Sequence, residues 1–202
     1  MSGPFGAGGL NFFSGERNFY PFSLDNSLRF DDDVSSNLKR TPTTTTNQRT
    51  FAWSGWVKRC ELGSGQGIFG TATGSATEFF IIQFSGSDTI FIQGASTPSS
   101  SLVENVRLGT DRLFRDPSAW YHIVVIVDTT QATASNRLKL YVNGDLITDF
   151  SSGNAIYPTT QNFQTPINSS SFPIQVGAYN TGTVDPFNGY MAEVNFIDAP
   201  IF

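Results

Sequence analysis

The sequence predicts an all-β sandwich, and three observations carry that prediction. Many short segments alternate apolar and polar residues, or run apolar, over strand lengths. Gly, Pro, Asn, Asp and Ser clusters separate them at regular spacing, as in two-sheet proteins. No segment shows a capped, helix-period pattern of about ten residues or more.

The clearest stretch runs from Trp120 to Phe150. Trp120 to Val127 is an apolar run bounded by polar and turn residues, the pattern of a strand buried on both faces. Leu138, Leu140 and Val142 alternate with Lys139, Tyr141 and Asn143, which predicts a strand with one wet face. Asn143-Gly144 accepts the positive φ of a type I′ turn and predicts a tight hairpin.

Residues 1–23 read as an extended arm, rich in Gly and carrying Phe5, Phe12, Phe13, Phe19, Tyr20 and Phe22. Glycine makes the arm pliable. Its aromatics would expose large apolar area if merely solvated, so they need a surface to cover them. That surface is either the arm's own domain or a neighbouring subunit. Residues 24–202 read as the sandwich. Leu24 to Phe30 is a first strand, followed by a turn at Asp31-Asp32-Asp33. Asn37 to Arg40 is a second, stopped by Pro42. Thr50 to Arg59 alternates, with Phe51, Trp53 and Val57 on one face. Gln66 to Thr73 and Glu78 to Phe84 pair around Gly74-Ser75. Thr89 to Gln93, Leu102 to Leu108 and Leu113 to Arg115 are further strands. Ser151 to Ser171 reads as a long polar connection anchored by Tyr157, Phe163 and Ile167. Pro173 to Tyr179 and Tyr190 to Ile197 close the sheets.

The totals narrow the function. A chain of 202 residues suits one domain, and an aromatic share of 14% can fill its core. Net charge is −5 and the 12 basic residues are scattered, which argues against nucleic acid as a partner. The single Cys60 excludes an internal disulfide, and its place at a strand end reads as a buried or half-buried thiol. No apolar run reaches the ~18 residues of a membrane span. The first ten residues lack a basic start and an apolar core, so synthesis in a cytoplasm without export is expected. Gly63-Ser64-Gly65-Gln66-Gly67 is a turn, since no strand-to-helix passage accompanies it.

Three pieces in order resemble a known family. They are Ser27-Leu28-Arg29-Phe30 leading into Phe51-Ala52-Trp53-Ser54-Gly55-Trp56-Val57-Lys58; Trp120-Tyr121-His122-Ile123-Val124 followed by Leu140-Tyr141-Val142-Asn143-Gly144; and Phe187-Asn188-Gly189-Tyr190-Met191-Ala192-Glu193-Val194. This arrangement is similar to the concanavalin A-like lectin/glucanase superfamily in its laminin-G-like branch. The resemblance implies a two-sheet antiparallel jelly roll. It implies that Trp53, Trp56 and Trp120 fill the core or the inter-sheet space, that His122 is structural, that Gly189 turns the chain into the last strand, and that Glu193 pairs within the sheet. The finer wording of Phe114 to His122, Asp128 to Thr133 and Glu193 to Asp198 is similar to modules in structural proteins of marine tailed phages, cyanophages included. The chain stops soon after its last strand, which reads as a stand-alone module with an arm.

Glucanases of that superfamily carry closely spaced carboxylates on one strand, as glycoside hydrolysis requires. Glu61, Glu78, Glu104 and Glu193 are isolated here, so no catalytic residues and no enzyme activity are expected. The branch often holds a calcium ion at the sandwich rim through oxygen ligands. Asp31, Asp32, Asp33 and Asp185 are the candidates by residue type, with solvated turn acids the plainer reading, and no cofactor is expected. The resemblance implies a virion structural protein, a capsid decoration, cement or tail-associated subunit. In that reading Phe5, Phe12, Phe13, Phe19 and Tyr20 dock onto other virion proteins or onto further copies of the chain. The alternative is a glycan-binding module for host recognition, with Tyr157, Asn162, Phe163 and Asn168 as sugar contacts on a rim loop.

Overall fold

The computed structural model describes residues 26–72, 78–96, 104–180 and 185–199. The arm, with Phe5, Phe12, Phe13, Phe19 and Tyr20, lies outside the described residues. In chain order the strands are β1 (Leu28–Phe30), β2 (Leu38–Arg40), β3 (Thr50–Arg59), β4 (Gln66–Ala72) and β5 (Phe79–Phe84). Then come β6 (Ile90–Ser96), β7 (Glu104–Thr110), β8 (Tyr121–Asp128) and β9 (Leu138–Val142). The last four are β10 (Asp145–Leu146), β11 (Phe150–Ile156), β12 (Ile174–Val176) and β13 (Gly189–Ile197). One 3-10 turn spans Ala134–Asn136.

The strands form two antiparallel sheets. The six-stranded sheet has the order β1-β13-β3-β8-β9-β10, and the seven-stranded sheet β11-β7-β6-β5-β4-β12-β2. The period of two sends Phe51, Trp53 and Val57 of β3 inward, with Ile123, Val125 and Val127 of β8. Phe80, Ile82 and Phe84 of β5 meet them from the other sheet. Phe51 and Phe80 cross between the sheets edge to face, with ring centroids 5.5 Å apart. Burying each such ring stabilises the fold by about 1.5–3 kcal/mol. The expected all-β sandwich is therefore present.

Several elements differ from the sequence reading. β8 is buried on one face only: Tyr121, Ile123, Val125 and Val127 are buried, and His122, Val124 and Ile126 are half-buried. Its outer face is partly covered by neighbours such as Trp56, whose ring lies 5.0 Å from that of His122. Trp53 fills the core, whereas Trp56 and Trp120 are half-buried. Leu113 to Arg115 is irregular, because Phe114 leaves the sheet to plug the core, its N–H donating to Asp88 O. The connection after the hairpin contains a strand, β11, whose sequence is too polar and Ser-rich to signal one. Glu193 is exposed at a β-bulge with φ 49°, between the pairs Ala192–Trp56 and Asn195–Ser54. Gly189 serves close packing: a Cβ there would meet Lys58 O at 2.2 Å. Cys60 is exposed, not buried. The Asn143-Gly144 turn forms as expected, both residues with positive φ.

Two buried arginines tie the ends of the sandwich. Arg59 pairs with Asp88 at 3.1 Å and lies 4.5 Å over the Phe84 ring. Burial pushes its guanidinium below the usual range, against the pull of Asp88. Asp88 also accepts from Arg115 Nε and Gly63 N–H. Burial raises the Asp88 carboxyl, but these donors outweigh it and hold the group below its ordinary value. Arg137 has no carboxylate partner among the described residues. It donates instead to the carbonyls of Gln131, Ala132, Pro158 and Thr159, pinning the long connection to the β8–β9 hairpin.

Candidate functional site

The strongest candidate site is a hollow on the outer face of the seven-stranded sheet. Alternation builds it. β5 turns Phe80, Ile82 and Phe84 inward and so turns Phe79, Ile81 and Gln83 outward. β6 turns Ile90 and Ile92 inward and Phe91 and Gln93 outward. Register sets them in rows: Gly67, Gln83, Phe91 and Gly109 across one line, and Gly70, Ile81, Gln93 and Arg107 across the next. β12 adds Gln175 opposite Gly70.

Glycines shape this face. A Cβ at Gly67 would sit 2.8 Å from the Tyr179 ring, so glycine lets that ring lie on the sheet. Gly109 likewise lies beneath the Phe91 ring, where a Cβ would come within 2.4 Å. The Arg107 guanidinium lies over the same ring, 5.2 Å from its centroid. Tyr179 is held in place by Asp185, whose Oδ2 accepts its hydroxyl at 3.1 Å and whose backbone oxygen accepts the Gly67 N–H at 2.7 Å. Burial and the neighbouring Asp185 charge push the Tyr179 phenol well above its ordinary value, so it stays a donor.

The result is a depression of about 280 Å³ lined by Ala72, Phe79, Ile81, Gln83, Gln93, Tyr179 and Asn180. Its polar lining is unusual. Gln83 Oε1 and Asn180 Oδ1 are buried and bond to nothing, and so are both amide atoms of Gln175, on the same face. Buried amides normally find partners, because an unmade bond costs about 1–3 kcal/mol. Other orphaned atoms occur, among them Trp53 Nε1, Thr71 Oγ1, Gln66 Oε1 and two guanidinium nitrogens of Arg59. Those of Gln83 and Asn180 lie in a hollow with two aromatic rings. Such a surface can exchange hydrogen bonds with a ligand that both donates and accepts. None of the described lining residues is a carboxylate.

The sugar contacts expected on the rim loop are placed differently. Phe163 is 5% exposed and belongs to the core, and Asn168 is 4% exposed. Asn168 Nδ2 donates to Asn47 O, in a lattice where Gln48 and Thr165 also bind each other. Tyr157 is half-buried against Phe150, and Asn162 is exposed at a turn with φ 62°. The structure thus brings the two rim loops together but leaves only Tyr157 and Asn162 accessible. Asp31 accepts the Asp33 N–H, Asp32 accepts from Asn188, and Asp185 serves Tyr179. Among the described residues no three acidic, His or Cys side chains gather as metal ligands. Sequence reasoning missed the hollow because Gln83 and Gln93 lie on β5 and β6, where an outward Gln looks like ordinary solvated surface, and Asn180 lies in the segment after β12. The signal available was Gly67 and Gly70 within an otherwise apolar strand.

Comparison with known proteins agrees with this architecture. A family model described as the concanavalin A-like lectin/glucanases superfamily matches residues 31–201. The fold is similar to the CBM40 module of a Ruminococcus gnavus IT-sialidase, with TM-score 0.54 and 13% identity over 83% of this chain and 92% of that one. A heptameric SAP-like pentraxin from Limulus polyphemus aligns with TM-score 0.51 and 15% identity, over 82% of this chain and 71% of that one. Domains LG4-5 of the mouse laminin α1 chain align with TM-score 0.50 and 10% identity, over 84% of this chain and 40% of that one. No curated protein matches the sequence. With its two-sheet sandwich and the match across most of its length, the chain belongs to the concanavalin A-like lectin/glucanases superfamily.

Proposed function

We propose that the protein is a non-enzymatic glycan-binding module that uses the hollow on the outer face of the seven-stranded sheet. The observation that carries this reading is the pair of buried, unpartnered amide oxygens at Gln83 and Asn180 in a hollow walled by Phe79 and Tyr179. Sugar hydroxyls both donate and accept, which suits an amide oxygen and nitrogen. Sugar ring faces are partly apolar, which suits the aromatic walls. The similar CBM40 module is seen bound to α2,3-sialyllactose, which supports the ligand class without assigning the sugar. The setting we infer is a tailed-phage virion, with the module displayed as a decoration or tail-associated subunit and capsid or tail subunits as its partners. Supporting it are the segments Phe114 to His122, Asp128 to Thr133 and Glu193 to Asp198, whose wording resembles such proteins.

The test is a glycan array probed with the full chain and with Gln83→Leu and Gln93→Leu, each with and without calcium. The expected result is a defined set of glycans bound by the parent and lost from both variants, whose folds stay intact. A blank array for the parent at high protein concentration overturns glycan binding. Binding retained by both variants overturns the hollow as its site. Electron microscopy with antibody against the chain tests the virion setting, which fails if purified particles carry no label.

A further inference from the structure

A cation stands at the border of the hollow without a carboxylate partner among the described residues. Val106 and Leu108 of β7 are buried in the core, so alternation turns Arg107 out onto the face that carries the hollow. Register pairs Arg107 with Gln93 of the lining, one strand spacing of about 4.8 Å away. The Arg107 guanidinium lies over the Phe91 ring, and Phe91 pairs in turn with Gln83, the other glutamine of the lining. Both relations set the charge at the β7 side of the hollow. Elsewhere the arginines are committed to protein acceptors: Arg29 to Asn188, Arg59 and Arg115 to Asp88, and Arg137 to backbone carbonyls. Arg107 is exposed, and both ion pairs among the described residues belong to Asp88.

We infer that the hollow takes a glycan carrying an anionic group, a carboxylate or a sulfate, and that Arg107 is the residue that selects it. This inference rests on the glycan-binding reading and deepens it. The chemistry divides the ligand in two. Gln83 Oε1 and Asn180 Oδ1 are acceptors, so they take sugar hydroxyls and repel an anion. The anionic group therefore belongs at the β7 side, over Phe91. There the guanidinium offers a planar fork of donors that matches either group. The ring beneath it holds the fork in place by a cation–π contact. No described lining residue is an acid that would turn an anion away. The chain as a whole carries a net charge of −5, so an anionic ligand gains no general attraction and depends on a local cation.

Lys39 supplies the control, since it stands at the far end of the same row, beyond the buried Gln175. The full chain, Arg107→Gln and Lys39→Gln are read on an array of sialylated, uronic-acid and sulfated glycans, each beside its neutral counterpart. The parent should prefer the acidic member of a pair, and the carboxylated and sulfated members show which group carries the charge. In titration with the best acidic glycan, Arg107→Gln should bind about tenfold or more weakly, the loss of one charge-assisted contact, and Lys39→Gln should bind as the parent does. Parent affinity should fall as salt rises, and that of Arg107→Gln should change little. Melting temperatures equal to the parent's show that both exposed substitutions leave the fold intact. A blank array overturns the glycan-binding reading and this inference with it. Neutral glycans bound as tightly as their acidic counterparts overturn this inference alone. So does an Arg107→Gln variant that keeps its acidic glycan, or a Lys39→Gln variant that loses as much, which makes the attraction diffuse.

Discussion

The same side-chain amide does two different jobs in two regions of this molecule. Where the loop around residues 44–50 meets the loop around 163–170, every amide nitrogen named by the structure is used. Asn47 Nδ2 donates to Thr50 O, Gln48 Nε2 to Thr165 O, and Asn168 Nδ2 to Asn47 O. On the outer face of the seven-stranded sheet, Gln83 Oε1, Asn180 Oδ1 and both amide atoms of Gln175 are buried and have no partner. The first arrangement fastens two loops. The second leaves buried amide atoms without a partner among the described residues. Residue type alone does not separate binding from structure; the partner list does.

Breaking a buried ion pair outside both regions should cost the most. The largest effect is expected from Asp88→Ala, which strands the fully buried Arg59 without its carboxylate. Removing one partner of a buried pair costs about 3–5 kcal/mol, read as a fall in the urea midpoint. The loss should be visible in the parent as pH falls. The folded-state pKa of Asp88 and of Asp128 is held below the ordinary value, so their contribution is complete above about pH 4 and drains away below it. For Asp128 burial pushes the other way, but donors from Gln131 and Thr130 prevail. Asp88→Ala should flatten much of that acid limb.

Next comes Asn168→Ala, which frees the Asn47 carbonyl and places Ala at φ 62°. A loss of about 1–3 kcal/mol is expected in the same measurement. Gln175→Leu should sharpen the contrast by doing the opposite. Both of its amide atoms are unpartnered, so an apolar residue of similar shape should leave stability unchanged or raise it by up to about 1 kcal/mol. A drop of several kcal/mol would mean that the amide has a structural partner after all. The smallest effect belongs to His122. Its half-buried ring, tilted against Trp56, titrates below its ordinary value because burial disfavours the charge. Neutral imidazole is thus favoured on folding, and stability should dip slightly as pH falls below about 6.5. His122→Gln should remove that dip and little else.

Much of the fold was legible because it is written in period-two patterns. β3 and β9 follow from alternation, the Asn143-Gly144 hairpin from turn chemistry, and β8 from an apolar run that reads, against the structure, as buried on both faces. β11 was not, since Phe-Ser-Ser-Gly-Asn-Ala-Ile lacks an apolar face and forms its strand by pairing with β7 across a register shift. The bulge at Glu193 was also hidden, because the same sequence reads as a straight strand. The candidate site was less legible than the fold. Phe163 and Asn168 look like sugar contacts by type, yet burial assigns them to packing and loop fastening. Gln83 and Gln93 look like solvated strand surface until Tyr179, arriving from a distant segment, walls them in. That wall depends on tertiary contact at Gly67, which no local pattern encodes.

The most direct test is a crystal of the full chain soaked with the best glycan from the array. The account predicts sugar density in the hollow, with hydroxyls within hydrogen-bond distance of Gln83, Gln93 or Asn180 and a ring against Phe79 or Tyr179. Density seated instead on the rim at Tyr157 and Asn162, with the hollow unchanged, would contradict it.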